Sequence, residues 1–254
     1  SPQNITLSAT GTYMVHVNIP LQGVNHTVQT NVRGRVLVNG MAVPGAQFMQ
    51  GYMETAATES DGDSRMHWSG IVVASSTNSV LTVSTQQEAG GGNVVVTPGF
   101  AGSIYVQKLP STGVIALSGN YLNGTTGMNF NNSNASSSRF NVPLAYDSSS
   151  YTHSSTTNSH QITVTASGDY FLTYNGAFTG GTARTNNRIT VTVGGATTTG
   201  AQTKSNYIRN QNGHAEASGN LVFLLEGVTA GQIISVQSQR EATAGQVSST
   251  TPGT

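Results

Sequence analysis

The chain has no cysteine, and only 8% of its residues are charged. Without thiols there is no disulfide framework, no thiolate metal site and no cysteine nucleophile. Stability must then come from core burial or oligomerisation. Ten basic and ten acidic residues cancel, which removes the global field that steers nucleic acid or an anionic membrane toward a protein. No apolar run approaches the ~18 residues of a spanning helix, so membrane insertion is not expected. The opening SPQNITLS has neither a charged n-region nor an apolar h-region, so no signal peptide is expected there. Helix signals are nearly absent too, and residues 49–58 and 207–211 read as strand or loop.

What remains is a mixture of Val, Ile and Thr with Ser, Asn, Gln and Gly, at 36% apolar content over 254 residues. β-Branched residues favour half-buried strands, and the small polar residues favour the turns between them. The expected fold class is all-β.

The chain contains one pattern twice. Residues 5–13 read ITLSATGTY and residues 162–170 read ITVTASGDY. Each is a short strand, a small-residue turn with Gly11 or Gly168, and a second strand opening on Tyr13 or Tyr170. Further on, RGRVLVNG at 33–40 matches RITVTVGG at 188–195, both alternating strands closed by a Gly turn. Tyr52 matches Tyr207. SGIVV at 69–73 is set against SGNLVFLL at 218–225, and VLTVSTQ at 80–86 against IISVQSQ at 233–239. The series ends with TPG at 97–99 and 251–253. Offsets lie between 149 and 157, a spread that loops absorb.

Two domains follow, 1–109 and 110–254. The first continues into the strand SIYVQKL after its TPG, whereas the second has no such strand. The second has a leader of about fifty residues that the first lacks. The expectation is two tandem β-sandwiches, the first without its leading strands and the second without its last. A segment of a longer repeat protein or a strand supplied by another chain would account for this.

Residues 218–236, SGNLVFLLEGVTAGQIISV, together with GDYFL at 168–172, resemble the tumour-necrosis-factor/C1q-like jelly-roll superfamily. Weaker counterparts are Gly11-Thr-Tyr13, Ser69-Gly70 and residues 80–83. The first copy departs at the Gly-led turn, where STNS at 76–79 replaces Ala230-Gly231. The resemblance implies tandem jelly rolls, homotrimeric association and function carried on loops and outer surfaces.

Chemistry-bearing patterns are sparse. His16, His26, His67, His153, His160 and His214 show no HExxH spacing, and no Gly-x-Ser-x-Gly elbow occurs. Glu59, Asp61 and Asp63 form one acidic cluster able to offer oxygens to Ca²⁺. No later Glu closes an EF-hand, so a solvated turn is expected and no metal or other cofactor. Arg33 and Arg35 alone make no nucleic-acid footprint. Trp68, Tyr121, Tyr146 and Tyr151 are the candidate sugar-stacking aromatics, with a core position expected for Trp68. Tyr13, Tyr170, Tyr52 and Tyr207 repeat in register, which suits core or subunit packing. The expected protein is not an enzyme. Low charge and an uncharged polar surface resemble virion decoration or fibre proteins, with structural proteins as partners and a virion or extracellular location. The alternative is a secreted bacterial adhesin or carbohydrate-binding module that contacts surface glycans through the loops at 123–138 and 147–159.

Overall fold

The structure is a computed structural model and describes residues 4–24, 30–49, 63–87, 93–96, 102–119, 135–180, 185–208, 215–241 and 247–249. Alternating apolar and polar residues in the first half form β1 (Asn4–Leu7), β2 (Gly11–Val24), β3 (Val32–Val38), β4 (Met41–Met49), β5 (Asp63–Ala74), β6 (Ser79–Gln87), β7 (Asn93–Val96) and β8 (Ser103–Lys108). They make two antiparallel sheets. One runs in the order β1-β6-β3-β4, and the other sets β2 between β5 on one side and β7 and β8 on the other. Strand β8 covers residues 13–18 of β2, and β7 covers residues 21–24.

The inward faces of both sheets share one core that includes Val15, Val36, Phe48, Trp68 and Leu81. This is a β-sandwich. Each such side chain contributes roughly 1.5–3 kcal/mol by leaving water.

The second half holds β9 (Ile115–Ser118), β10 (Ser136–Ser137), β11 (Val142–Tyr146), β12 (Tyr151–Thr152), β13 (Ile162–Val164), β14 (Gly168–Gly180), β15 (Asn187–Val193), β16 (Ala196–Lys204), β17 (Glu216–Val228), β18 (Ile233–Arg240) and β19 (Val247–Ser249). The order β13-β18-β15-β16 reproduces β1-β6-β3-β4, and β17-β14-β19 reproduces β5-β2-β7. A second core, with Phe178, Ile189, Val191, Leu225 and Val236, fills the second sandwich. Strands β9 and β11 pair with each other, β10 pairs with β18, and β12 extends the sheet beyond β13.

Registers repeat as well as orders. Tyr13 lies opposite Val72 and Tyr170 opposite Leu225. Val36 faces Val83, and Val191 faces Val236. These registers correct one part of the repeat as read from sequence. Ser69 corresponds to Val222, and Ser218 corresponds to Arg65, since Ser218 faces Ala177 as Arg65 faces Pro20. The match had slipped by four residues. An even slip keeps every side chain on its own face, so alternation alone does not detect it.

Turn chemistry sets the registers. The β3–β4 turn has positive φ at Asn39 (51°) and Gly40 (79°), and the β15–β16 turn has it at Gly194 (59°) and Gly195 (83°). Two successive positive values are what a two-residue hairpin between right-twisted strands requires. The β5–β6 turn that looked divergent in sequence is conformationally the same in both halves. Asn78 takes φ 58° where Gly231 takes 86°, and Asn is among the few side chains that enter this region readily.

Candidate functional site

The two sandwiches meet along the outer edge of β4. Backbone groups of that edge are satisfied by the second sandwich, with side chains from the outward face of β14 and β17 and from the segment after β16. The Met49 amide donates to Ser218 Oγ at 3.0 Å, and the same hydroxyl donates to the Met49 carbonyl at 2.9 Å. Asn175 Nδ2 donates to the Gln47 carbonyl at 2.9 Å, and Asn206 Nδ2 reaches the Met49 carbonyl at 3.4 Å. At the margin, Asn31 Nδ2 bonds the Glu216 carbonyl at 2.9 Å, and Arg33 pairs with the Glu216 carboxylate at 3.0 Å.

The equivalent edge of the second sandwich is treated differently. Where β4 has Met49, 1% exposed, β16 has Lys204, whose side chain is 55% exposed. Lys204 and Arg188 both pair with Glu241. A charged lysine on an edge strand blocks pairing with another sheet.

A cleft of about 630 Å³ opens beside this junction. Met14, Trp68 and Ile71 of the first sandwich line it, with Ile115 from β9 and Leu172 and Tyr174 from β14. Its lining is mostly apolar, and residues 168–175 of β14 form one wall. In the first sandwich β8 pairs with residues 13–18 of β2. Among the described residues no strand pairs with residues 170–175 of β14 on that side, while β19 pairs with residues 178–180. On the outward face of the same sheet lie Phe171 of β14 (56% exposed) and Leu224 (48%) and Val222 (38%) of the neighbouring β17. Phe171 faces Leu224 across the strands, and Val222 faces Thr173. Met14, which occupies the place of Phe171, is only 9% exposed.

Two histidines stand on the outward face of the first sandwich. His16 Nδ1 lies 2.6 Å from Ser69 Oγ, and its ring is tilted against Tyr105 at 5.7 Å. Burial lowers the pKa of both His16 and His67 below the ordinary 6.5. For His67 the charge of His16 adds to the lowering, and a hydrogen bond with Asn220 opposes it. His153 bridges two carbonyls, those of Gln161 and Phe140. Among the described residues no three His, Asp or Glu side chains gather to hold a metal.

The leader is tied down by Asp147. Its carboxylate accepts from the Ser149 and Ser150 hydroxyls, each at 2.6 Å, and from the Gly113 amide at 2.6 Å. The Ser149 hydroxyl leads these donors in holding the carboxyl well below the usual carboxylate range.

The residues singled out from sequence fall in several places. Tyr13 is buried in the first core, and its hydroxyl donates to the Ala9 carbonyl at 2.7 Å. Tyr170 repeats the bond to Ala166 at 2.6 Å and packs edge-on against Tyr151. Tyr207 is 41% exposed and lies outside both cores. Trp68 is buried, with its indole N–H toward the Gly45 carbonyl. Tyr151 is buried and Tyr146 exposed. Tyr52, Tyr121, His26, His214, Glu59 and Asp61 lie outside the described residues, as do residues 120–134 of the first leader loop and the side chain of Asp63. Asn175, Asn206 and Ser218, which hold the junction, were not singled out. In a chain rich in Asn and Ser the only sequence signal of Asn175 and Ser218 is an outward position on a strand, and Asn206, in the segment after β16, carries none.

No family model matches the chain, and no curated protein does. Among solved structures the chain is similar to an anti-sigma factor domain-containing protein from Clostridium clariflavum at TM-score 0.15 and 11% identity. That match covers 98% of this chain and 78% of the other. A likeness at that level carries no argument. No helix among the described residues is long and apolar enough to cross a membrane.

Proposed function

We propose that the protein is a non-enzymatic structural or attachment protein of a virion or cell exterior. In this reading it is built from two tandem jelly-roll domains, residues 1–109 and 110–254, and works as a homo-oligomer, a trimer by the resemblance noted above. The supporting observation is the duplicated sandwich joined through buried backbone groups of β4. A junction that uses an edge strand's own amide and carbonyl fixes the angle between the two units. Fixed geometry serves a surface lattice or fibre better than it serves a hinged enzyme.

The test is quantitative proteomics on purified particles, paired with the mass of the isolated protein in solution. The reading expects stoichiometric copy number on particles and a mass three times that of the chain. Absence from particles together with a monomeric mass would overturn it. Binding on a glycan array that is lost when residues 147–159 are exchanged would move the assignment to an adhesin.

A further inference from the structure

We propose that the edge of β14 at residues 170–175, with which no strand among the described residues pairs on that side, is a strand-acceptor site. Its occupant is an extended polypeptide segment with the chemistry of residues 103–118 of this same chain. This stands on the pairing within the molecule and does not depend on the proposed structural role.

The first sandwich shows what the acceptor takes. There β8 lies antiparallel on residues 13–18 of β2, with Tyr105 opposite His16, Val106 opposite Val15 and Ile104 opposite Val17. Val15 and Val17 face the core, and Val106 packs against it. After β8 the Leu109 amide bonds the Thr12 carbonyl at 2.8 Å. Residues 109 and 112–119 then line the cleft together with Met14 and Ile71.

β14 reproduces the acceptor. Leu172 and Tyr174 replace Val15 and Val17, pack partly buried against the second core, and line the cleft. β19 holds the same register against β14 that β7 holds against β2, Phe178 facing Ser249 as Leu21 faces Val96. The position beside β19 is therefore defined, and among the described residues no strand pairs with residues 170–175 there. An unpaired ladder next to apolar surface is a template for strand addition.

The side-chain demands follow from the pleat. The incoming strand needs apolar residues opposite Leu172 and Tyr174 and tolerates polar or aromatic ones opposite Thr173. A following apolar stretch like Val114, Ile115 and Leu117 then lies against Phe171 and Leu224.

The experiment uses the full chain and a fluorescein-labelled synthetic peptide of residues 103–118. Saturable binding in anisotropy is expected, and a peptide with Gln107→Pro, which removes a donor to the acceptor strand because the Leu109 amide bonds Thr12 and donors alternate from it, should bind roughly tenfold or more weakly. Register is read by disulfide capture, which is clean because the chain has no cysteine. The Thr173→Cys chain should trap the Tyr105→Cys peptide several times faster than the Val106→Cys peptide. Association of the chain with itself that the peptide disperses would also support the site, with a second copy as the donor. No saturable binding, equal binding of the proline peptide, or trapping indifferent to register would each overturn it.

Discussion

Ser218 Oγ is bonded to both backbone groups of Met49, accepting from its amide at 3.0 Å and donating to its carbonyl at 2.9 Å. One hydroxyl thus does for the edge of β4 what a neighbouring strand would otherwise do. Ser218→Ala leaves two buried backbone groups without this partner, a cost of about 1–3 kcal/mol. Urea denaturation should show that loss. Thr at the same position keeps the hydroxyl and should recover part of it.

The β5–β6 turns give a paired test of backbone conformation. Gly231→Ala places a Cβ in the left-handed region, which costs about 1–2 kcal/mol. Asn78→Ala should cost a similar amount, while Asn78→Gly should be neutral or slightly stabilising. Thermal melts of the three variants decide this, and equal melting temperatures for all three would contradict the shared conformation.

Gly34 is required for close approach. A Cβ there would meet the Phe48 ring at 2.4 Å and Met66 Cε at 2.7 Å, both in the first core. Gly34→Ala should destabilise by about 1–3 kcal/mol through overpacking. Gly40→Ala has open space but a positive φ, so its penalty should come from backbone strain alone.

Acid should weaken the fold in a defined window. His16, His67 and His160 all have pKa values lowered chiefly by burial. A base with a lowered folded-state pKa binds its proton more readily when unfolded. Stability is therefore constant above the unfolded value of about 6.5 and declines as pH falls below it, until the folded-state values are passed. The melting temperature should be flat from pH 8 to pH 7 and drop between pH 6.5 and pH 5. A His16→Gln, His67→Gln double variant should flatten most of that drop.

Much of the fold was legible because turns announce themselves. Asn39-Gly40 and Gly194-Gly195 stand at hairpins, and the Gly-x-Tyr corners open β2 and β14. Within the strands legibility was weaker. Period-two alternation is unchanged by an even slip, so the sequence matches Ser69 to Ser218, whereas Ser69 opposite His16 is equivalent to Val222 opposite Thr173. The centre of the junction was not legible, because it joins backbone groups of residues 47 and 49 to ordinary Ser and Asn side chains. β14 was legible as the repeat of β2, through the Gly-x-Tyr corner that opens both. The outward apolar group of Phe171, Val222 and Leu224 was not, because outward and inward apolar residues look alike in sequence.

The central claim is that β14 has the register of β2 and that, among the described residues, no strand takes on it the place that β8 takes on β2. Residue-resolved amide hydrogen exchange on the free chain compares the two directly. The account predicts strong protection for the amides of residues 13–18 toward both neighbours. For residues 170–175 it predicts protection only of the amides turned toward β17, with those turned away exchanging faster by orders of magnitude. Equal protection on both sides of β14 would contradict it.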